Sequence, residues 1–407
     1  MKEKIKKIIY LTYDGLTDPL GQSQIIPYLS RLSNEMLKID IISFEKKETF
    51  LKTKTFIDDK LGNKNIDWHP LKYTKKPAII STVFDIYRGY KLVKNLQIKN
   101  NYDIIHCRGY IAAIIGHKLK MKYNNSLIFD MRGWFPDEKL ESGAWKGLAY
   151  VPIYRYFKKV EKTLFIKSEK IISLTHVGKF EILKKKWSTE KKIGVIPTCV
   201  DFTNFPKFEK KTKDLVRNKL KLDKDCKILI YSGSIGGNYD FKEFSDVFEV
   251  FLKRNNKNRI IILTKTPLDY LYNKIHEYKL DKEKIIIVDS PFNEVYKYLQ
   301  ASDIGLIIYK RTFSTIGRSP TKLGEYWACG LPVLSLKRIG DLDLIISKYP
   351  HGGQLVNKLG DKELNDSFDI LEKYNSKEKI RISAKEYYDI KKGVEFYSNI
   401  YNELNKK

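Results

Sequence analysis

Short apolar runs alternate with stretches whose apolar positions recur every three or four residues, from the start of the chain to about residue 375. That alternation predicts strands and covering helices in turn, the pattern of parallel sheets sheathed by helices. In the first half, strands are expected at KIIYLTY, IDIISF, YDIIHC, SLIFDMRG, KIISLT and KIGVIPT. A helix-spaced segment, QSQIIPYLSRLSNEM, lies between the first two. The second half repeats the scheme with KILIYSGS, RIIILTKT, KIIIVDS, DIGLIIYK, LPVLSL and GGQLV, separated by helix-like stretches such as DFKEFSDVFEVFLKRN. The fold class is therefore α/β, with two doubly wound, Rossmann-like domains facing a cleft. Residues 1–198 form the first domain and 199–375 the second. The seam is IPTCVDFTNFPKFEKKTKD, bracketed by Pro197 and Pro206. The tail 376–407 carries helices without a strand and is expected to pack back on the first domain.

A chain of 407 residues is too long for one ordinary core and suits two of roughly 150–200 residues. The net charge of +27 is uneven: residues 1–200 hold 38 basic and 20 acidic residues, a net +18. Such an excess favours an anionic partner, whether nucleic acid, anionic lipid headgroups or phosphorylated small molecules. Lysine outnumbers arginine and no nucleic-acid module is recognisable, so no nucleic-acid partner is expected. The apolar runs fall far short of the ~20 residues of a membrane span. No signal-peptide cleavage site follows the lysine-rich start, and the four cysteines are scattered without a pairing pattern. A cytoplasmic location is expected, with peripheral attachment to the inner membrane face through KYTKKPAII and YRYFKKVEKTLFIKSEK.

Ligands of doubly wound sheets bind beyond the carboxyl ends of the strands, so chemistry is sought in the loops that follow them. The stretch RSPTKLGEYWACGLPVLS, residues 318–335, is the most informative. Ser319 suits a helix N-cap, Pro320 the first helical position and Gly330 a left-handed C-terminal stop. Capping does not account for the surroundings. From Ile304 to Gly324 there is no Asp or Glu, but there are four cations: Lys310, Arg311, Arg318 and Lys322. A helix N-terminus with a lysine in its first turn is an anion site. Glu325 stands one turn on, on the same face as Lys322, placed to accept hydrogen bonds from ribose hydroxyls.

In the first half, His106 and Arg108 alternate with Cys107 at a strand end, so both are expected to point toward the cleft. Asp130, Arg132, Asp137 and Glu138 crowd polar groups around Trp134 and Phe135, rings on which a ligand can stack. The Gly233, Gly236 and Gly237 cluster allows close backbone approach to a phosphate. GDLD at 340–343 invites a divalent-metal reading, but its position at a helix start makes Asp341 an N-cap, and no His/Cys spacing suits zinc. No metal site is expected.

Together these residues resemble the retaining glycosyltransferases of GT-B fold, family four. SPTKLGEYWACGLPVLS after DIGLIIYK is similar to that family's donor-nucleotide segment. DGLTDPLGQSQ, DIIHCRGY, IFDMRGWFPDE, YRYFKKVEKTL, VIPTCVDF and YSGSIGGNY follow in the family's order. The resemblance implies a donor site made by Gly21, Gln22, Gly233, Ser234, Gly236, Ser319, Thr321, Lys322 and Glu325. Lys322 and Arg318 would stabilise the leaving diphosphate. Asp130 or Arg132 occupies the neighbourhood where many relatives carry a histidine, and His106, Arg108, Trp134, Asp137 and Glu138 are the acceptor-side candidates. It also implies a nucleoside-diphosphate sugar as donor, a UDP-sugar first and a GDP-sugar as alternative, with no obligatory cofactor. A saccharide or lipid-linked molecule would be the acceptor. Two departures stand out. The first of the family's two glutamates falls at Gly317, and Ser234 replaces an arginine. A nucleotide-sugar epimerase or an inactive sugar-nucleotide-binding relative is the rival reading.

Overall fold

The computed structural model describes residues 6–34, 36–62, 64–223, 225–236, 240–374 and 376–404. The chain divides into two compact units. The first contains residues 1–140, 144–197 and 390–407, and the second 141–143 and 198–389.

The first unit is built on seven parallel strands: β1 (Lys6–Thr12), β2 (Leu37–Glu45), β3 (Ile66–Lys72), β4 (Ile104–Arg108), β5 (Ser126–Asp130), β6 (Lys170–Ser173) and β7 (Ile193–Val195). Their order across the sheet is β3-β2-β1-β4-β5-β6-β7. The second unit has six: β8 (Ile228–Ser232), β9 (Arg259–Leu263), β10 (Ile285–Val288), β11 (Ile304–Ile307), β12 (Val333–Leu336) and β13 (Gly353–Val356), ordered β10-β9-β8-β11-β12-β13. In each sheet the strand order reverses once, between β1 and β4 and between β8 and β11. That reversal is where doubly wound sheets open a crevice for ligands.

The central strands are apolar on both faces because helices cover both, so they read as continuous runs of Ile, Leu and Val. Ile8, Ile9, Ile104 and Ile105 are buried in the first sheet, as are Ile260, Ile261 and Ile262 in the second. The strand β3, IDWHPLK, is absent from the sequence reading for the opposite reason. It lies at the sheet edge with most of its side chains only half-buried, and Pro70 is tolerated there because its missing N–H would face away from the ladder.

The tail is not one piece. The helix Lys377–Tyr388 belongs to the second unit, where it packs beside the helix Thr321–Ala328. Only the helix Ile390–Leu404 counts with the first unit. The close approach in the second unit requires Gly324, since a Cβ there would stand 2.5 Å from Val200 Cγ2 and 3.2 Å from Tyr388 Cγ. Among the described residues no helix is long and apolar enough to cross a membrane.

Candidate functional site

In the second unit, two loops at the β8/β11 reversal meet around Lys322. The strand β8 ends in a turn through Gly233, whose φ of +137° favours glycine. A Cβ at Gly233 would lie 2.8 Å from Lys322 Cε and 2.9 Å from its Nζ, so the missing side chain is what seats the lysine there. The ammonium stands 4.9 Å above the Tyr231 ring and 5.5 Å from the Tyr309 ring centre, with the Arg318 guanidinium 5.3 Å from Tyr309. The Tyr309 ring is thus shared by both cations. The turn is braced on both sides. Tyr326 Oη accepts a hydrogen bond from the Ser232 N–H at 2.8 Å, and Tyr231 Oη donates to the Ser234 carbonyl at 2.7 Å. Gly236 is also left-handed, and Ser234 is exposed; Gly237 lies outside the described residues.

The helix Thr321–Ala328 starts with no side-chain cap. Ser319 is not its N-cap as expected, because Pro320 takes that position. The Ser319 hydroxyl instead accepts from the Thr198 N–H at 3.1 Å, and the Thr198 hydroxyl donates to the Ser319 carbonyl at 2.7 Å. Gly330 closes the other end in the left-handed conformation, as its sequence position predicts. Glu325 is half-buried, and among the described residues no hydrogen bond reaches its carboxylate. Loss of water pushes its pKa up to about 7, against the opposing pull of Lys322. A half-buried carboxylate beside a cation, with no hydrogen bond of its own among the described residues, can accept hydroxyl donors.

In the first unit the loop after β1 is organised by Glu45, a residue the sequence reading passed over. Its buried carboxylate accepts the N–H groups of Leu16 (2.7 Å) and Thr17 (3.2 Å) and the hydroxyls of Thr17 and Ser43. The available signal was an acid directly after the apolar run IISF, at the end of a strand. Gly21, Gln22 and Ser23 lie inside the short helix Pro19–Gln24. A Cβ at Gly21 would fall 2.2 Å from the Gly15 carbonyl oxygen, so this glycine serves helix-to-loop packing. Gln22 donates to the Thr17 carbonyl at 3.1 Å, and Ser23 bonds back to the Pro19 carbonyl at 2.8 Å.

The acceptor-side candidates are rearranged more strongly. His106 is fully buried and Arg108 nearly so. His106 Nδ1 is 2.7 Å from Tyr401 Oη, and its Nε2 is 3.9 Å from Asp130 Oδ2. Tyr397 Oη donates to the same Asp130 oxygen at 2.9 Å. Arg108 and Arg132 stand 3.9 and 3.8 Å from the Asp130 carboxylate. Desolvation pushes Asp130 up, but Arg132, His106 and Arg108 together hold it below the ordinary carboxylate range. Burial lowers His106, so the ring is neutral. This is a sealed polar network that anchors the helix Ile390–Leu404, and neither His106 nor Asp130 faces solvent. Arg132, at φ +56° and partly exposed, is the network's outermost member.

Trp134 is likewise no stacking platform: it is fully buried, 5.8 Å from Phe165, with Lys158 Nζ 5.5 Å from its ring. Asp137 is buried too, held by Tyr154 Oη and Lys158 Nζ, each at 2.9 Å. Glu138 is half-buried on the helix Phe135–Glu141. Asp341 does stand at the N-cap of Leu342–Lys348, but its side chain makes no capping bond, and Asp343 accepts from the Arg338 N–H at 2.7 Å. Among the described residues no three His, Cys, Asp or Glu side chains are grouped to hold a metal ion.

Residues 212–387 match the family described as glycosyl transferases group 1. No curated protein matches the chain. Among solved structures, HepE of Anabaena in complex with UDP and glucose superposes with a TM-score of 0.71 at 11% identity, covering 98% of this chain and 100% of that one. Sucrose-phosphate synthase from Thermosynechococcus elongatus gives 0.70 at 12%, covering 98% and 99%. A glycosyltransferase from Rickettsia africae gives 0.70 at 17%, covering 99% of both. At these identities the likeness establishes the fold, GT-B.

Two substitutions test the two clusters. Gly233→Ala must carry a side chain into both a left-handed backbone and the Lys322 ammonium, and is expected to lose about 1 kcal/mol or more in urea denaturation. Tyr397→Phe leaves a buried Asp130 oxygen short of its donor, and is expected to lose about 1–3 kcal/mol by the same measurement.

Proposed function

We propose that the chain, which matches glycosyl transferases group 1 over 212–387 and has a GT-B fold, is a glycosyltransferase that moves a sugar with retention from a UDP-sugar to a saccharide carried on a lipid phosphate. The observation that carries the donor side is the Lys322 cluster. Lys322 and Arg318 lie next to an uncapped helix start, a glycine turn lets a diphosphate approach the backbone, and Glu325 waits one helical turn beyond. In this reading the β8 turn and the N–H groups at Thr321 and Lys322 hold the diphosphate. Glu325 accepts the ribose hydroxyls.

Transfer separates a sugar cation from a diphosphate that gains charge as the bond breaks. Two fixed cations and oriented N–H dipoles favour that charge and need no reorganisation during the reaction. The acceptor hydroxyl enters on the face the diphosphate leaves, and its proton passes to a donor phosphate oxygen. The missing family glutamate at Gly317 and the absent arginine at Ser234 place this burden on Lys322 and Arg318. HepE, the similar protein solved with UDP and glucose, supports uridine as the base.

The acceptor side rests on charge and surface chemistry. The +18 of residues 1–200 favours an anionic membrane face, where a lipid-carried saccharide would be met. The protein is expected to float with vesicles containing anionic lipid at low salt and to be released at high salt. Recovery in the soluble fraction at low salt removes the membrane from the proposal.

The donor site has a pH signature. Free Glu325 titrates near 7, and hydroxyl donors favour its charged form. Below about pH 7, UDP must expel a proton to bind, so affinity falls as pH drops from 7 toward 5 and is flat above. Glu325→Gln should remove that component, leaving only the titration of UDP itself. Lys322→Ala should weaken UDP at every pH by about tenfold or more, the loss of one charge-assisted contact. Isothermal titration at pH 5.5, 6.5 and 7.5 checks all three. Unchanged UDP affinity in both variants sinks the donor assignment.

A further inference from the structure

The first unit contains a cavity of ≈ 740 Å³ for which the donor reading has no use. It opens at the carboxyl ends of β1 and β2, where Tyr13, Asp14 and Phe44 line it, so it sits where a doubly wound sheet receives ligands. Its size lies within the about 300–1,000 Å³ of sites that bury small molecules. The chemistry of its wall is unusual for a saccharide site. Phe135, Trp145 and Phe157 form a cluster of rings with centroids 5.3–5.7 Å apart, and aliphatic side chains of the helix Ala78–Asn100 face them.

The apolar character does not stop at the mouth. Val83 is 62% exposed and Tyr156 54%, and beyond the lining Ile80, Phe84, Tyr87 and Leu148 are also exposed, Leu148 to 90%. Apolar side chains continuing from a pocket onto open surface mark an interaction site. The charges around them are mainly basic: the two acids of the lining, Asp14 and Asp18, are paired with Arg108 at 3.5 Å and Lys46 at 2.8 Å. Between residues 68 and 102 the single acid is Asp85, buried and engaged by Tyr13 Oη and the Thr74 N–H at 3.0 Å each, against seven cations. Residues 142–160 contain no acid and four cations. A second copy of a chain carrying +27 is repelled by such a face, whereas anionic lipid is attracted.

We propose that this cavity takes the hydrocarbon chain of the lipid-phosphate acceptor, with Lys75 and Lys139 at its rim facing the phosphate. The inference rests on the reading of a lipid-carried acceptor. It explains why the aromatic cluster is kept half-open, at the cost of exposing Val83 and Tyr156 to water when unoccupied. It also shifts acceptor recognition from His106 and Trp134, which are sealed, to Trp145 and Phe135, which line open space.

The probe is dodecyl phosphate below its micellar concentration, titrated into the full chain and followed calorimetrically, with inorganic phosphate in parallel. Saturable binding at one site per chain is expected, with inorganic phosphate at least about tenfold weaker because a buried methylene is worth about 0.8 kcal/mol. Val83→Asp and Ile79→Asp change exposed positions and so leave folding intact, and each should weaken dodecyl phosphate by about tenfold. UDP affinity should be unchanged in both. Absence of saturable binding overturns the inference, as does equal affinity for inorganic phosphate or undiminished binding by both variants. So does a concentration-dependent dimer in sedimentation that both variants abolish, since that assigns the face to a second copy. If the chain hydrolyses UDP-glucose slowly but fails these tests, the lipid site alone is wrong. If dodecyl phosphate binds as expected and no UDP-sugar is bound or consumed, the donor reading is wrong and the lipid site stands.

Discussion

Both sheets are parallel and covered on both faces, and this constraint shapes everything else. A strand buried on two sides has room for few polar side chains along its length, Asp40, Ser43 and His106 among them, and further polar groups collect where the strand stops. Glu45, Arg108 and Asp130 are each the last residue of a strand, and Ser232 ends β8 beside the Gly233 turn. Function and scaffolding therefore compete for the same few positions. In the first unit scaffolding takes the β4 and β5 ends, where His106, Arg108 and Asp130 are locked together under two tyrosines. In the second unit the β8 end remains open around Lys322.

That competition explains what could be read from the chain. Twelve of the thirteen strands are visible as apolar runs because burial on both faces imposes them. The β3 edge strand is half exposed, carries a proline and a charge, and gives no such run. The segment proposed to hold the donor is legible because its signals are local: an acid-free stretch, a glycine stop and a lysine and glutamate one turn apart all lie within one strand–loop–helix unit. Gly330 and Lys322 stand where their spacing predicts.

The first-unit site was not legible, because burial there depends on residues far away in sequence. Nothing near His106 announces Tyr401, nor does anything near Asp130 announce Tyr397. Trp134 and Phe135 are neighbours with opposite fates, the first enclosed against Phe165 and the second facing a cavity. A strand end and the short helix after it do not reveal which neighbour turns inward. Glu45 was overlooked for a related reason. Its partners, the N–H groups of Leu16 and Thr17, are backbone, and backbone donors leave no mark in the residue sequence.

The hydroxyl bonds from Tyr397 and Tyr401 have a consequence for how the molecule is made. A ribosome delivers β4 and β5 first, yet the side chains that cover their polar ends arrive only after the whole second unit has been synthesised. Until then His106 and Asp130 remain hydrated and the first unit lacks its closing helix. The nascent N-terminal half must wait, incomplete, while the other unit emerges, and it is sealed only once the helix Ile390–Leu404 has followed.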